Sequence, residues 1–123
     1  MLVGIGIDSV DLDRFSGLLE RRGGLMERLF SPSEREYAAR LANPVGSLAG
    51  RFAAKEAAMK ALGVGLGAFG WWDVEVRRRE GGQPSLAVGG RAAELAAGLG
   101  VRSWQVSLTH TDLMASAVVA ALS

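Results

Sequence analysis

The alternation of apolar and polar positions predicts short strands at both ends of the chain and a hairpin in its second half. Residues 3–8 form an apolar run that closes on an acid, Asp8, and this pattern predicts a buried first strand. Four later segments of alternating or apolar residues predict further strands: residues 72–79, 85–88, 104–109 and 114–122. The pair Gly81-Gly82 predicts the turn between the first two of these segments.

Helical spacing and helix-boundary residues predict four helices. The segment Ser31-Pro32-Ser33-Glu34 is a strong helix start, with serine at the cap, proline in the first turn and glutamate three residues after the serine. The predicted helices cover residues 11–22 with Asp11 as the cap, 31–41, 47 or 48 to 63, and 91–99. A strand, then helices, then β-β-α-β-β indicates an α+β fold, and residues 1–123 have the usual size of one domain.

The longest predicted helix combines a bulky stripe, a small-residue face and two charged residues. Successive helical residues are about 100° apart, and this rotation separates two sets of apolar side chains. Leu48, Phe52, Met59 and Leu62 form the bulky stripe, and Ala54, Ala57, Ala58 and Ala61 form a face that another element could approach closely. Glu56 and Lys60 lie between the two sets, one turn apart. The apolar residues on both sides favour a cleft as the setting of Glu56 and Lys60. The alternative is an exposed ion pair, which would stabilise the helix by only about 0.2–0.5 kcal/mol.

Asp8 is the second candidate carboxylate, and its position leaves two interpretations open. Its side chain either caps the turn that follows the strand or points into a site. Asp11 and Asp13 are better explained as acids of the first helical turn, and the three acids do not have the spacing of a calcium loop. Two carboxylates and an ammonium group suit Mg²⁺ bound to phosphate oxygens, because Mg²⁺ takes one or two carboxylates and keeps several waters.

Composition narrows the class of protein. The net charge of +1 argues against a nucleic-acid binder, and the absence of cysteine excludes disulfides and thiolate metal sites. The start of the chain lacks the basic region of a signal peptide, and residues 114–122 are shorter than the roughly 20 residues that span a bilayer. We therefore expect a cytoplasmic protein without a membrane partner. A hydrophobic content of 49% predicts that copies of the chain bury apolar surface against one another.

Two separated motifs resemble the bipartite signature of the phosphopantetheinyl transferases. Ile5-Gly6-Ile7-Asp8 is followed, after 43 residues, by Phe52-Ala53-Ala54-Lys55-Glu56-Ala57-Ala58-Met59-Lys60. The chain length and the segments Arg28-Leu29-Phe30-Ser31 and Ser107-Leu108-Thr109-His110 are similar to the small bacterial branch, the holo-acyl-carrier-protein synthases. Two positions depart from wider family patterns. Ala53 stands where many members carry a small hydroxyl residue, and Val10 stands where larger relatives carry a third acid.

The resemblance implies transfer of 4′-phosphopantetheine from coenzyme A to a serine of an apo acyl carrier protein, with release of adenosine 3′,5′-bisphosphate. By the same resemblance, Asp8 and Glu56 would hold Mg²⁺ on the diphosphate, and Lys60 would neutralise charge on the phosphates. Glu56 or a metal-bound water would take the serine proton. Water would complete the metal shell, because Val10 offers no oxygen to it.

The resemblance also implies a phosphopantetheinyl-transferase-like domain with an antiparallel or mixed sheet and a long central helix. The assembly would be a homotrimer with sites at subunit interfaces. His110, by itself a turn or hydrogen-bonding residue, would then contact a phosphate of coenzyme A from a neighbouring subunit. Arg51 and Pro84 stand at positions similar to other coenzyme A contacts.

Arginines near the N-terminus have two explanations. The default explanation is a solvated helix face. Arg14, Arg21 and Arg28 recur, however, beside apolar residues that could anchor a partner: Leu18, Leu25 and Met26. A basic surface with apolar anchors suits an acidic helical partner, and acyl carrier proteins resemble that partner.

Two other functions are compatible with parts of this pattern. One is another Mg²⁺-dependent enzyme acting on a diphosphate, such as a nucleotide hydrolase, and the other is a non-catalytic trimer that binds coenzyme A. The presence of Asp8, Glu56 and Lys60 together argues against the non-catalytic trimer, which has no need of all three. The residues leave open whether the carrier serves fatty-acid or polyketide synthesis, and whether acylated coenzyme A is accepted.

Overall fold

The computed structural model describes residues 1–78 and 82–123, and it confirms an α+β fold. In chain order the elements are β1 (Leu2–Asp11), α1 (Leu12–Arg21), α2 (Leu25–Leu29), α3 (Pro32–Ala39), α4 (Pro44–Leu62), a 3₁₀ turn (Trp71–Asp73), β2 (Val74–Arg78), β3 (Pro84–Val88), α5 (Gly90–Gly98), β4 (Ser103–His110) and β5 (Met114–Leu122). The strand predicted over 114–122 is confirmed at both ends.

The strands form two antiparallel sheets. Strand β5 lies in the middle of a three-stranded sheet with the order β1-β5-β4, and β2 pairs with β3 in a separate hairpin. All strand pairs among the described residues are antiparallel, so the antiparallel alternative holds and the mixed one does not. Gly81 of the predicted turn Gly81-Gly82 lies outside the described residues. Arg79, the last residue of the strand predicted over 72–79, also lies outside them.

Helix α4 lies directly against β1, as its small-residue face predicts. A side-chain carbon placed on Gly6 would come within 1.9 Å of the Ala57 carbonyl oxygen, and one on Gly4 would come equally close to the Ala61 oxygen. Glycines on the strand and alanines on the helix therefore bring the two backbones together without side chains between them. This contact determines which part of α4 faces the end of β1.

The prediction of a buried strand ending at Asp8 is wrong in two respects. Strand β1 continues to Asp11, so Asp8 lies within it and not at its end. The strand also has an exposed face, on which Ile5 and Ile7 are 60% and 61% exposed. Successive side chains of a strand alternate between faces, so Asp8 shares the α4 side with Gly4 and Gly6. The sequence did not reveal this alternation, because Gly4 and Gly6, which alternate with Ile5 and Ile7, are not polar residues that would mark a second face.

Several helix boundaries differ from the predicted ones. Helix α4 begins at Pro44 and not at residue 47 or 48, since proline is favoured in a first turn where its missing N–H is not needed. The predicted strand start at residue 72 is a 3₁₀ turn, and the short helix α2 was not predicted. The cap of α1 by Asp11 and the capping box of α3 are both confirmed.

The apolar interior consists of two clusters that meet at α4. One joins α4 to the two sheets and α5, and the other joins the first part of α4 to α1, α2 and α3. Val10 and Trp71 pack against both clusters. Within residues 1–78 and 82–123, no helix has the length and apolar character needed to cross a membrane.

Candidate active site

A cavity of about 410 Å³ opens between β1, α1 and α4 and brings together most of the predicted metal and docking residues. Its walls include the acids Asp8 and Glu56, the arginines Arg14 and Arg21, and the rings of Phe15 and Phe52. Strand β1 and helix α4 supply the acids, and α1 supplies the two arginines. The close glycine–alanine contact described above is what places the two acids on one cavity.

Asp8 does not cap the following turn. Asp11 takes that role, since its Oδ1 accepts the backbone N–H of Arg14 at 2.9 Å. The Asp8 carboxylate instead faces Lys60, whose Nζ lies 3.4 Å from Oδ1 and donates to the Ile7 carbonyl oxygen at 2.9 Å. Of the two interpretations open from the sequence, the one that points Asp8 into a cavity fits this geometry.

Glu56 and Lys60 do not form the exposed ion pair considered above. Among the described residues, the salt bridge of Lys60 is to Asp8. Burial raises the pKa of Glu56, and the negative charge of Asp8 raises it further, while Lys60 opposes both effects. The two carboxylates therefore repel each other, and the ammonium group of Lys60 offsets this repulsion only in part.

This donor set fits Mg²⁺ with non-protein oxygens in its shell. No group of three or more potential ligands among histidine, aspartate and glutamate side chains occurs in the part of the chain that the structure describes. Val10 lines the cavity next to the acids and offers no oxygen. Mg²⁺ keeps several waters and binds phosphate oxygens when proteins supply only one or two carboxylates, so the pair is sufficient for it.

Arg51 lies apart from this cavity, almost completely buried on another side of α4. Its guanidinium carbon is 4.4 Å from the centre of the Tyr37 ring, and Nη1 donates to Ser47 Oγ at 2.5 Å. Its Nε has no hydrogen-bond partner among the described residues. Burial lowers the pKa of Arg51, although Glu34 raises it, and the nearby charge of Arg78 lowers it again.

Arg51 and His110 line one recess of about 290 Å³, together with Arg78. The imidazole packs against the start of α4, where a side-chain carbon on Gly46 would lie 3.2 Å from Cδ2. Pro84 begins β3 and is paired with Arg78 across the hairpin. These three predicted coenzyme A contacts thus surround Arg78, and none of them lines the cavity that holds the two acids.

Arg28 is the predicted docking residue that the structure does not bring to the cavity. It lies on α2 and borders a shallow recess with Arg22 and Leu25, whereas Arg14 and Arg21 lie on α1. The glycines 23 and 24 separate the two helices, and Gly24 has a φ of 81°, a conformation that favours glycine. The turn redirects the chain between Arg21 and Arg28.

Lys55 has a role that the sequence analysis did not assign. It is fully buried, and its Nζ donates to Glu34 Oε1 at 2.8 Å, to the Trp71 carbonyl oxygen at 2.8 Å and to the Val74 carbonyl oxygen at 2.6 Å. Burial lowers its pKa and the Glu34 carboxylate raises it. With three acceptors for three N–H groups, this ammonium has no donor left for a phosphate. A signal was present in the sequence, because helical spacing places Lys55 on the apolar side with Leu48, Met59 and Leu62.

The chain is similar to one known protein family and to individual proteins of nearly the same length. Residues 4–119 match the family model of the 4'-phosphopantetheinyl transferase superfamily. A holo-[acyl-carrier-protein] synthase of Streptomyces griseus is 50% identical over 121 residues, which is 98% of each chain. One of Moorella thermoacetica is 45% identical over 92% of this chain and 88% of its own.

Solved structures agree with these relatives. The holo-[acyl-carrier-protein] synthase of Neisseria meningitidis superposes with a TM-score of 0.91, at 30% identity and with full coverage of both chains. That of Bacillus anthracis, in complex with CoA (3',5'-ADP), has a TM-score of 0.82 at 35% identity, covering 100% of this chain and 99% of its own. That of Helicobacter pylori, in complex with coenzyme A, has a TM-score of 0.82 at 31% identity, covering 95% and 98%.

Proposed function

The chain belongs to the 4'-phosphopantetheinyl transferase superfamily, and we propose that it transfers 4'-phosphopantetheine from coenzyme A to a serine of an apo acyl carrier protein. The observation that carries this proposal is the cavity that Asp8 and Glu56 line together, beside Arg14 and Arg21 of α1. Relatives that are up to half identical over nearly the full chain are holo-[acyl-carrier-protein] synthases. The reactants also suggest a cytoplasmic location.

Asp8 and Glu56 would hold Mg²⁺, and their repulsion in its absence supports this assignment. When bound there, the ion would neutralise charge on the diphosphate of coenzyme A. Lys60, already beside Asp8, is within reach of the same phosphates as a point charge. Transfer of a phosphoryl-linked group requires mainly this positioning and charge neutralisation.

Glu56 would accept the proton of the carrier serine. The serine Oγ forms a bond to the β-phosphorus, the bond from that phosphorus to the bridging oxygen breaks, and adenosine 3′,5′-bisphosphate leaves. The position of Glu56 supports this role, because it lines the same cavity as Arg14 and Arg21, where a carrier docked on α1 would present its serine. A water held by the cation is the alternative acceptor of the same proton.

Arg51, His110 and Pro84 would bind coenzyme A away from the acids. The support is their common position around Arg78, with an excess of positive charge and an unpartnered Nε on Arg51 among the described residues. Because this recess is separate from the cavity with the two acids, we propose that His110 acts on coenzyme A held by the acids of a neighbouring subunit.

A homotrimer would supply that neighbour. The outer face of the three-stranded sheet exposes Ile5, Ile7 and Val118, and Ile7 and Val118 are paired across β1 and β5. An apolar sheet face of this kind is costly in water and is normally covered. The separation of the His110 recess from the cavity with the two acids supports a second copy of the chain as the occupant.

Arg14 and Arg21 would dock the carrier protein. Both line the cavity beside the acids, so a partner bound to α1 would present its serine to the same space. Arg28 lies farther along, on α2, and would contact an outer part of the carrier. Charge on these residues would steer the encounter with an acidic helix.

Mass spectrometry of the carrier protein tests this function. The protein is incubated with apo carrier, coenzyme A and Mg²⁺, and the carrier should gain the mass of one phosphopantetheine group. The gain should be lost with a chelator and in Glu56→Gln or Asp8→Asn. Hydrolysis of coenzyme A without any gain in carrier mass would favour a diphosphate hydrolase, and binding without either reaction would favour a non-catalytic module.

The docking surface is tested separately with Arg14→Glu, using Arg102→Glu, an exposed arginine outside the cavity, as the matched control. Arg14→Glu should raise KM for the carrier about tenfold or more while leaving coenzyme A affinity within about twofold, since a lost charge contact acts on the encounter with the partner. Equal losses of carrier use and coenzyme A affinity would contradict a docking role.

A further inference from the structure

Three aromatic rings form a row beneath the cavity that holds the two acids. Phe52 lies between the other two rings, with centroids 5.3 Å from Phe15 and 5.3 Å from Trp71. The interplanar angles are 31° and 30°, so the Phe15–Phe52 pair is tilted and the Phe52–Trp71 pair is an inclined stack. Such pairs contribute more than the burial of their area, and rings have few rotatable bonds, so a row of this kind resists displacement.

The row joins the helix of the proposed docking surface to the helix of the metal-binding acid. Phe15 follows Arg14 on α1, and Phe52 precedes Glu56 by one turn on α4. All four of these residues line the cavity. The distance between the Phe15 and Phe52 rings therefore sets how far the arginines on α1 lie from the Glu56 carboxylate on α4.

Trp71 closes the row from the other side and is itself held in place. Its carbonyl oxygen accepts a hydrogen bond of 2.8 Å from the buried Lys55, which is paired with Glu34. Its ring packs against both clusters of the interior. Lys55 lies one residue before Glu56 in α4, so the same helix that carries the acid also fixes the backbone of Trp71.

We propose that Trp71 is a positioning residue for the transfer: stacked on Phe52 and held through its carbonyl by Lys55, it fixes the distance between the carrier-docking helix α1 and the acid on α4. This inference rests on the proposed function and adds a residue that touches neither substrate. Its physical basis is that small displacements of a bound nucleophile are costly, since a shift of about 1 Å can reduce a rate about 100-fold.

The test compares Trp71→Leu with Trp72→Leu in the intact protein. Both substitutions remove an indole from the same 3₁₀ turn, but Trp72 is about half exposed and takes no part in the row, since its Nε1 donates to the Glu27 carbonyl oxygen on α2 at 3.1 Å. Trp71→Leu removes the stacked ring and keeps the carbonyl that Lys55 holds. We expect kcat/KM for the carrier protein to fall about tenfold or more in Trp71→Leu, with coenzyme A affinity within about twofold, because only the alignment of the two substrates changes. Trp72→Leu should leave kcat/KM within about twofold.

A double-mutant cycle separates positioning from a general loss of structure. If Trp71 acts through α1, the penalty of Arg14→Glu should be at least about threefold smaller in the Trp71→Leu background, since coupled residues are not additive. Trp71→Phe, which restores an aromatic face, should recover activity to within about threefold of the wild type. Retained coenzyme A affinity shows that the variants are folded.

Several outcomes would overturn the inference. Wild-type activity in Trp71→Leu, an equal loss in Trp72→Leu, a parallel loss of coenzyme A affinity, or full additivity with Arg14→Glu each exclude positioning by this ring. Failure of the wild type to modify any carrier protein would instead remove the proposed function, so the two failures are distinguishable.

Discussion

Gly6 has a hydrogen where any other residue would place a carbon against the backbone of α4. That carbon would lie 1.9 Å from the Ala57 carbonyl oxygen, a distance at which strand and helix must separate. The strand that would move carries Asp8 two residues later. At this position a single methyl group therefore affects both the stability of the fold and the position of Asp8, the acid that we propose binds the metal.

We expect Gly6→Ala to lower the free energy of unfolding by about 3 kcal/mol or more, because a backbone atom cannot rotate away from the added methyl group. Gly50→Ala is the matched control within α4, where an added carbon meets nothing within 4 Å. It should raise the free energy of unfolding by about 0.5–1 kcal/mol, since alanine is the better helix former. Urea unfolding of both variants checks this, and similar effects of the two substitutions would contradict the close approach.

Glu56 makes a pH-dependent contribution to stability in the absence of metal. Its pKa is raised above the ordinary 4.5, mainly by burial and then by the charge of Asp8. Folding therefore favours the protonated acid, and the stability that this provides is present at low pH and is lost as the pH rises through the raised pKa. Above this raised pKa the ionised Glu56 opposes folding.

Glu56→Gln should consequently be more stable than the wild type at pH 7 in chelator, because glutamine mimics the protonated acid without its charge. The advantage should shrink as the pH falls towards the ordinary pKa of 4.5. Saturating Mg²⁺ should stabilise the wild type more than the variant. Thermal unfolding between pH 7 and about 4.5 provides the measurement. If the difference in stability between the variant and the wild type did not change with pH, it would not arise from the raised pKa of Glu56.

At the scale of elements, the Lys55–Glu34 pair ties α4, α3 and β2 together. Glu34 Oε1 accepts from Lys55, and Oε2 accepts from the backbone N–H of Val76 at 3.1 Å. Lys55 in turn binds the carbonyl oxygens of Trp71 and Val74. Both side chains are fully buried, so every polar atom of the pair needs a protein partner.

Glu34→Ala should cost about 3–5 kcal/mol of stability, because it leaves the buried ammonium without its counter-charge. Glu36→Ala provides the matched control on the same helix, since Glu36 pairs with Arg40 and both side chains are more than two-thirds exposed. It should cost less than about 1 kcal/mol. Denaturant unfolding compares the two variants, and equal costs would mean that the buried pair is not an essential tie between the elements.

At the scale of the whole molecule, the three-stranded sheet has one face on α4 and one apolar face exposed. The exposed face carries Ile5 and Ile7 on β1 and Val118 on β5. The His110 recess is separate from the cavity with Asp8 and Glu56, so the proposed role of His110 would give a functional reason for covering that face with other copies.

Ile5→Lys should convert the proposed trimer into a monomer and abolish most transfer activity, since a charge on a buried apolar contact is costly and the proposed site would lose its second subunit. Leu99→Lys is the control, because Leu99 is also about half exposed but follows α5, outside that sheet. Light scattering after size exclusion gives the masses. A wild type that is monomeric and fully active would contradict the assembly.

Much of the site follows from local patterns that are visible in the chain. The spacing of Glu56 and Lys60 among alanines indicated a cleft, and the cap residues of α1 and α3 were identified correctly. Asp8 lines the cavity with Glu56, but it was assigned to the end of a strand, because a glycine-rich apolar run conceals which residues alternate. The role of Lys55 was missed, because its three acceptors belong to segments distant in the chain.

The amino-acid sequence by itself determined the class of chemistry, since residue type and spacing decide which groups can bind a cation or a phosphate, and helical or alternating periods decide the local elements. Only the tertiary structure decided which of these groups meet. Arg14 and Arg21 share a cavity with Asp8 and Glu56, whereas Arg51 and His110 do not, because the direction of each side chain depends on how elements far apart in the chain pack against α4. Packing also buried Lys55 in an ion pair with Glu34 and left Ile5 and Ile7 exposed.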